Sequence, residues 1–282
     1  MSVAERITTV HNDGLTFDVF DEGPLDGEVV VLLHGFPERS TTWRDVVPLL
    51  HERGYRTIAM DQRGYSPGAR PKHRWNYRVG HLVGDLVALV DEIGGPVHLV
   101  GHDWGAVVAW SAAMQRPELL RTLTAISVPH PMAFLQAGLT SRQGLRSYYI
   151  GLFQVPFLPE WIAAKPGGRF DAALRKGGMT AGEVARFRRE MVDDGALHYA
   201  LMWYRAVVMV DLKNAPARKV RVPTTFVWSD GDVACDRKGA ENCWKYVDAP
   251  YEFVLLEGVT HWVPTQAPEA VAEAVVKRIE SS

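Results

Sequence analysis

The chain has 282 residues, of which 47% are hydrophobic and 23% charged, with a formal net charge of -2. That length suits one extended α/β core with an inserted subdomain, and the near-neutral balance offers no basic field for nucleic acid. Two cysteines, Cys235 and Cys243, are too few for a disulfide framework and lack His or Cys neighbours at metal-ligand spacing, so ordinary thiols and neither metal nor cofactor are expected.

The one local basic knot, Arg186, Arg188 and Arg189, reads as a solvated helix face. Residues 1–20 contain Glu5, Arg6, His11 and Asp13 and no continuous apolar run, which predicts neither a signal peptide nor a membrane span and a cytoplasmic protein.

In chain order, the first third alternates strands with amphipathic helices, the pattern of a mostly parallel sheet covered on both faces. Residues 15–21 alternate apolar and polar side chains like a half-exposed edge strand, whereas Val29–Leu33 is a continuous apolar run suited to a buried one. A helix is expected over residues 42–50 and a strand over Arg56–Met60. Leu82, Val83, Leu86, Val87 and Val90 then recur at helical spacing, and Gly94-Gly95-Pro96 ends that helix. A buried strand over 97–100, a helix over 106–114 and a strand over 123–128 follow. From about 130 to 220 the rhythm changes to helical segments broken by Pro156, Pro159 and Pro166-Gly167-Gly168, with no convincing strand. This reads as a helical lid inserted into a core made of residues 1–129 and 221–282. The core resumes with strands over 224–228 and 253–256 and closes on a helix whose Val271, Ala274, Val275 and Ile279 form one apolar stripe.

Gly101-His102-Asp103-Trp104-Gly105 directly follows a buried strand and directly precedes a helix, the setting of a nucleophile elbow. Small residues two positions either side of the centre permit the sharp turn, and the central residue is Asp, not Ser. Asp is also a good helix N-cap, so the elbow reading rests on the company Asp103 keeps. With such an elbow the histidine base comes last in the chain, and of ten histidines only His261 lies past the inserted segment. It follows the strand over 253–256 after an expected loop, Glu257-Gly258-Val259-Thr260. An acid partner can follow either of two strands, but no Asp or Glu occurs from 119 to 159, which leaves Asp230, Asp232 and Asp236 after the strand over 224–228. Loop spacing selects Asp232, with Asp230 as the alternative. His34-Gly35-Phe36-Pro37 follows the strand ending at Leu33, where the N–H of Phe36, with that of Trp104, would form a two-donor oxyanion hole.

Five stretches together resemble the epoxide hydrolase branch of the α/β-hydrolase family over nearly the whole chain. They are residues 34–38 (His-Gly-Phe-Pro-Glu), Asp61-Gln62-Arg63-Gly64-Tyr65-Ser66, residues 101–105, Trp203-Tyr204-Arg205 and residues 258–262. The resemblance implies an α/β-hydrolase fold, a mostly parallel central sheet flanked by helices with an inserted helical lid. It also implies that Asp103 is the nucleophile, Asp232 the acid partner and His261 the base. Its two lid tyrosines map onto Tyr204 and Tyr149, with Tyr148 as the alternative to Tyr149. Met202 departs from the pattern, standing where the family often has Asn. The implied partner is a small apolar epoxide.

Those residue types suit that substrate. A carboxylate with a reference pKa near ~4 is ionised at neutral pH and attacks saturated carbon without a base. His261, oriented by Asp232, is then needed to activate the water that hydrolyses the ester. Ring opening creates an alkoxide, and phenols with reference pKa near ~10 can hydrogen-bond to it and protonate it. Haloalkane dehalogenases share the Asp, the His and even the Trp, but cradle a halide with that Trp plus an Asn or a second Trp, and Phe36 occupies the Asn position here. Fluoroacetate dehalogenases place arginines beside the nucleophile, and Trp104-Gly105-Ala106-Val107 has none. A serine esterase is excluded by the absence of Gly-x-Ser-x-Gly, and a non-catalytic receptor on this scaffold is disfavoured by the intact set of Asp103, Asp232 and His261.

Overall fold

The computed structural model describes residues 5–209 and 219–282. Eight strands, β1 (Thr9–Asn12), β2 (Leu15–Glu22), β3 (Val29–Leu33), β4 (Arg56–Met60), β5 (Val97–His102), β6 (Leu120–Ile126), β7 (Thr224–Gly231) and β8 (Tyr251–Thr260), form one sheet in the order β1-β2-β4-β3-β5-β6-β7-β8. β2 pairs antiparallel with β1 and β4, and every later pair is parallel. Parallel neighbours need crossovers, and helices supply them: α1 (Val47–His51), α2 (Val79–Ile93) and α3 (Trp104–Gln115) in the first half, α11 (Arg237–Glu241) between β7 and β8, and α12 (Val263–Gln266) and α13 (Pro268–Glu280) at the end.

Between β6 and β7 the described residues form α4 (Pro131–Thr140), α5 (Gln143–Arg146), α6 (Tyr148–Phe153), α7 (Leu158–Ala164), α8 (Arg169–Lys176), α9 (Ala181–Phe187) and α10 (Ala196–Val207), with no strand among them. Pro159 lies in the first turn of α7, where its missing N–H costs nothing, and Pro166-Gly167-Gly168 separates α7 from α8. Residues 210–218 of the expected inserted segment lie outside the described residues.

The central strands are buried on both faces, and the two-residue period divides them between two cores. Val31 and Leu33 of β3 join α2 and α3 residues such as Leu86 and Val108, while Val30 and Leu32 meet Leu50 of α1 and Val271, Val275 and Ile279 of α13. α2 ends as expected, with Gly94 at φ 84 donating its N–H to the carbonyl of Val90.

Three expectations are corrected. The single helix over 42–50 is a short 3-10 turn at Ser40–Trp43 followed by α1. Pro48 has no N–H, and its ring would strike the carbonyl of Arg44 in a continuous helix, so it sits in the first turn of a new one. The loop expected over 257–260 belongs to β8, which stays paired to β7 through Gly231 and Thr260 beyond a register shift. The extra residues bulge at Gly258, φ 72, whose N–H donates to Asp230 Oδ1 at 2.8 Å. Nor are two of the three arginines of the knot on a solvated face: Arg186 reaches Glu38 at 2.5 Å and Arg188 reaches Asp171 at 3.0 Å, partners far away in sequence, while Arg189 is exposed. The hairpin strand β1 was not anticipated, although its turn, Asp13-Gly14 with φ 51 and 73, is a good two-residue hairpin signal. Among the described residues no helix is long and apolar enough to cross a membrane.

One buried ion pair fixes the loop after β4. Arg63 forks onto Asp85 of α2, Nε to Oδ2 at 2.8 Å and NH2 to Oδ1 at 2.7 Å, and donates to the carbonyl of Asn76 at 3.0 Å. Burial pushes the Asp85 carboxyl above its usual range, and Arg63 opposes that rise. Removing one partner of such a pair leaves a buried charge uncompensated, so Arg63→Met is expected to lower stability by about 3–5 kcal/mol. Urea denaturation checks this; the double change Arg63→Met with Asp85→Leu should regain at least half, and a loss below about 1 kcal/mol for the single variant contradicts the assignment.

Candidate active site

The turn from β5 into α3 forces Asp103 to φ 52 and ψ -118, outside the ordinary regions for a residue with a side chain. Close approach of neighbouring backbone makes two glycines indispensable there. A Cβ on Gly105 would lie 2.1 Å from the carbonyl oxygen of Leu33, and one on Gly35 would lie 2.4 Å from Cβ of Asp103. The ends of β3 and β5 are thereby pressed together, with Asp103 raised between them.

Asp103 occupies the N-cap position of α3 but its side chain makes no capping hydrogen bond. Its Oδ1 instead accepts the N–H of Phe36 at 2.8 Å, and its Oδ2 lies 3.5 Å from Nε2 of His261. On the far side of the ring, His261 Nδ1 lies 2.9 Å from Asp232 Oδ2. Asp232 is itself anchored by the N–H groups of Ala234 and Cys235, at 2.7 and 2.9 Å to its Oδ1. The two other aspartates of that loop are engaged elsewhere: Asp230 with Gly258, and Asp236 as N-cap of α11, accepting from the N–H of Lys238 at 3.1 Å. The N–H of Trp104, first residue of α3, is one of those that a helix leaves without an internal acceptor.

Burial alone would push the carboxyl of Asp103 up, but its contact with His261, the charge there and the N–H of Phe36 outweigh it and leave the group below its usual range. Burial would likewise pull His261 down, yet the charge of Asp232 and the contacts with both carboxylates carry it well above the ordinary imidazole range.

A cavity of about 500 Å³ opens above this cluster. Asp103 and His261 form its floor, and Tyr149 of α6 and Tyr204 of α10 line it together with apolar groups including Phe36, Phe153 and Leu174. The rings of Tyr149 and Tyr204 stand 5.9 Å apart, and Tyr204 packs edge-on to Trp104 and Phe36 with centroids 5.1 Å away in each case. Burial drives both phenols well above their ordinary range, helped by the charge of Asp103, so both are neutral donors at any physiological pH. Tyr148 borders the same cavity but is 74% exposed, its ring turned to the surface.

Several residues that brace this cluster were not among the expected site residues. His102 donates from Nε2 to the carbonyl of His261 at 2.9 Å, and the Ser127 hydroxyl donates to the same oxygen at 3.2 Å. Buried Gln143 donates to the carbonyl of Ala234 and accepts the N–H of Asp236, at 2.7 and 2.6 Å, which staples the acid-bearing loop to α5. Arg146 adds a bond to the carbonyl of Asp232 at 2.5 Å. His102 could have been flagged by its place in the elbow; Gln143 and Arg146 sit about ninety residues from the groups they hold.

The alpha/beta hydrolase family matches residues 30–274. The AB hydrolase superfamily protein YfhM of Bacillus subtilis is 33% identical over 96% of this chain and 97% of its own length. Epoxide hydrolase 2 of Caenorhabditis elegans is 32% identical over 89% of this chain and 73% of its own. Among solved structures, an epoxide hydrolase from Vigna radiata is similar with a TM-score of 0.80 at 29% identity, covering 99% of this chain and 98% of that one. With the family matched across most of its length and two relatives above 30% identity, this chain belongs to the alpha/beta hydrolase family.

Proposed function

We propose that the chain is an epoxide hydrolase that converts an epoxide to a vicinal diol through a covalent ester on Asp103. The observation that carries this reading is the pairing of one buried carboxylate with two neutral phenols, Tyr149 and Tyr204, around a single apolar cavity. A halide leaving group needs no proton, whereas an alkoxide does. Relatives named epoxide hydrolases over most of the chain support the same reading.

In the proposed first step, Oδ2 of Asp103 attacks a ring carbon while Oδ1 stays on the N–H of Phe36. The carbon–oxygen bond of the strained ring breaks, its oxygen takes a proton from Tyr204 or Tyr149, and the tyrosinate so formed regains a proton, through water, from the imidazolium of His261, which leaves that ring neutral for the second step. In the second step, Nε2 of His261 accepts a proton from water as that water attacks the ester carbonyl carbon. The developing oxyanion on Oδ1 is met by the N–H groups of Phe36 and Trp104, and collapse releases the diol with the carboxylate restored. Tyr149 is the second donor, since Tyr148 faces solvent. In this scheme residues 130–220 act as a lid that supplies both phenols, over a core of residues 1–129 and 221–282.

Tyr204→Phe keeps the ring packing while deleting one hydroxyl. Ring opening in a single turnover should slow by at least ~10-fold, because a neutral hydrogen bond made mainly in the transition state is worth on the order of 1–3 kcal/mol. The double change with Tyr149→Phe should nearly abolish it. A panel of epoxides and haloalkanes, scored for diol and for released halide, reads the outcome. Ring opening that ignores both hydroxyls, or halide release without diol from any epoxide, contradicts the proposal.

The two steps also differ in what His261 faces. In the free protein both Asp103 and Asp232 hold its pKa up against burial. Once Asp103 is an ester its charge is gone, so the pKa of His261 falls and the ring becomes a neutral base. Ester hydrolysis needs that neutral form and should therefore rise with pH along a limb below the pH at which the free protein's His261 titrates. Pre-steady-state decay of the ester against pH, set beside NMR titration of the imidazole, checks the order; a hydrolysis limb at or above the free-protein titration contradicts it.

A further inference from the structure

Exposed large apolar side chains concentrate on one part of the surface, the helices α4 to α7. Leu135, Leu139, Leu145, Tyr148, Phe157 and Trp161 there are each between 56% and 83% exposed. Soluble monomers rarely leave so much apolar surface together without a partner for it. The pairs Leu135 with Leu139 on α4 and Tyr148 with Leu152 on α6 are each four residues apart, so each pair shares one face of its helix. Helices α4 to α8 pack one on the next in chain order, and Tyr148 and Leu152 also border the cavity, which joins this face to the cavity mouth.

Charge on the same segment is one-sided. Residues 131–176 contain six Arg or Lys and two acids. Both acids are consumed: Glu160 pairs with Arg205 and His198 at 2.9 and 2.8 Å, and buried Asp171 pairs with Arg188. Arg142, Lys165, Arg169, Arg175 and Lys176 are exposed, and Arg169 stands at the cavity wall.

We propose that this face is a docking surface for an anionic phospholipid bilayer, with the apolar side chains of α4 to α7 entering the headgroup and acyl boundary and the surrounding cations meeting lipid phosphates. Leu, Tyr, Phe and Trp on one side with Lys and Arg at the rim is the composition of an interfacial surface. A second copy of the chain is the poorer occupant. A twofold contact through this face would bring Arg142, Lys165 and their neighbours against their own copies with no free carboxylate in residues 131–176 to offset them. Docked this way, the cavity mouth faces the bilayer, the phase in which an apolar ligand collects. The surface does not depend on which reaction the cavity performs.

Vesicle co-sedimentation of the full chain tests it, with phosphatidylcholine alone against phosphatidylcholine containing about one third phosphatidylglycerol. We expect binding to the anionic vesicles at least ~10-fold tighter than to the neutral ones, weakened by about 0.5 M salt. Two double variants outside the cavity, Leu139→Asn with Trp161→Asn and Arg142→Glu with Lys165→Glu, should each lower that binding by at least ~10-fold while circular dichroism stays unchanged. Absence of binding to either vesicle, or binding that neither variant alters, overturns the proposal. So does self-association in sedimentation velocity that the apolar double variant abolishes, which would make the face an interface between copies.

Discussion

An imidazole clamped between two buried carboxylates is the constraint on which the rest of this molecule turns. Asp103 and Asp232 stand on opposite sides of His261, at 3.5 and 2.9 Å, in a place where an unpaired charge would cost several kcal/mol or more. Each carboxylate is therefore met twice, by the ring and by backbone N–H groups: Phe36 for Asp103, Ala234 and Cys235 for Asp232. Those donors and the three side chains come from the carboxyl ends of β3, β5, β7 and β8, brought to one edge by the parallel order of the sheet. The glycines at 35 and 105 are the cost of bringing β3 and β5 that close, since neither position has room for a Cβ.

The helical segment between β6 and β7 is tied into the same cluster at two levels. From α5, Gln143 and Arg146 hold the backbone of the loop that presents Asp232. From α10, the indole N–H of Trp203 donates to the carbonyl of Arg63 at 2.7 Å, fixing the turn of helix that bears Tyr204 to the buried Arg63 and Asp85 pair. α6 and α10 are stitched to each other as well, Gln154 to the carbonyl of Tyr204 at 2.6 Å and Arg205 to that of Phe153 at 3.1 Å. The two phenols thus have fixed positions relative to one another and to the core. That rigidity is what a proposed proton donor requires, because a hydrogen bond to a developing alkoxide gains strength from preorganisation.

Local signals in the sequence were read well where the physics is local. A continuous apolar run marked β3, helical spacing marked α2 and α13, and the Gly-x-Asp-x-Gly turn marked Asp103 through the backbone crowding that the structure displays. His261 follows from elimination along the chain, whereas elimination leaves three aspartates and only loop spacing favours Asp232 over Asp230; the structure sets Asp232 on His261 and leaves Asp230 on Gly258. What escaped depends on distant partners. The Arg186 and Arg188 knot looked solvated because Glu38 and Asp171 are not neighbours in sequence, and the bulge that keeps residues 257–260 in β8 is set by its pairing with β7. Gln143 and Arg146 are unremarkable residues until the fold places them under the acid loop. The break between the 3-10 turn and α1 is local in origin, since Pro48 cannot lie inside a continuous helix.

The central claim is that Asp103 attacks substrate carbon and that His261 is needed only afterwards. Intact-protein mass spectrometry of His261→Gln after addition of an epoxide tests this most directly. Formation of the ester leaves the base idle while its hydrolysis does not, so the account predicts a stable adduct of protein plus one substrate, absent when Asp103→Asn is added. An unmodified His261→Gln protein that still turns epoxide into diol would contradict it.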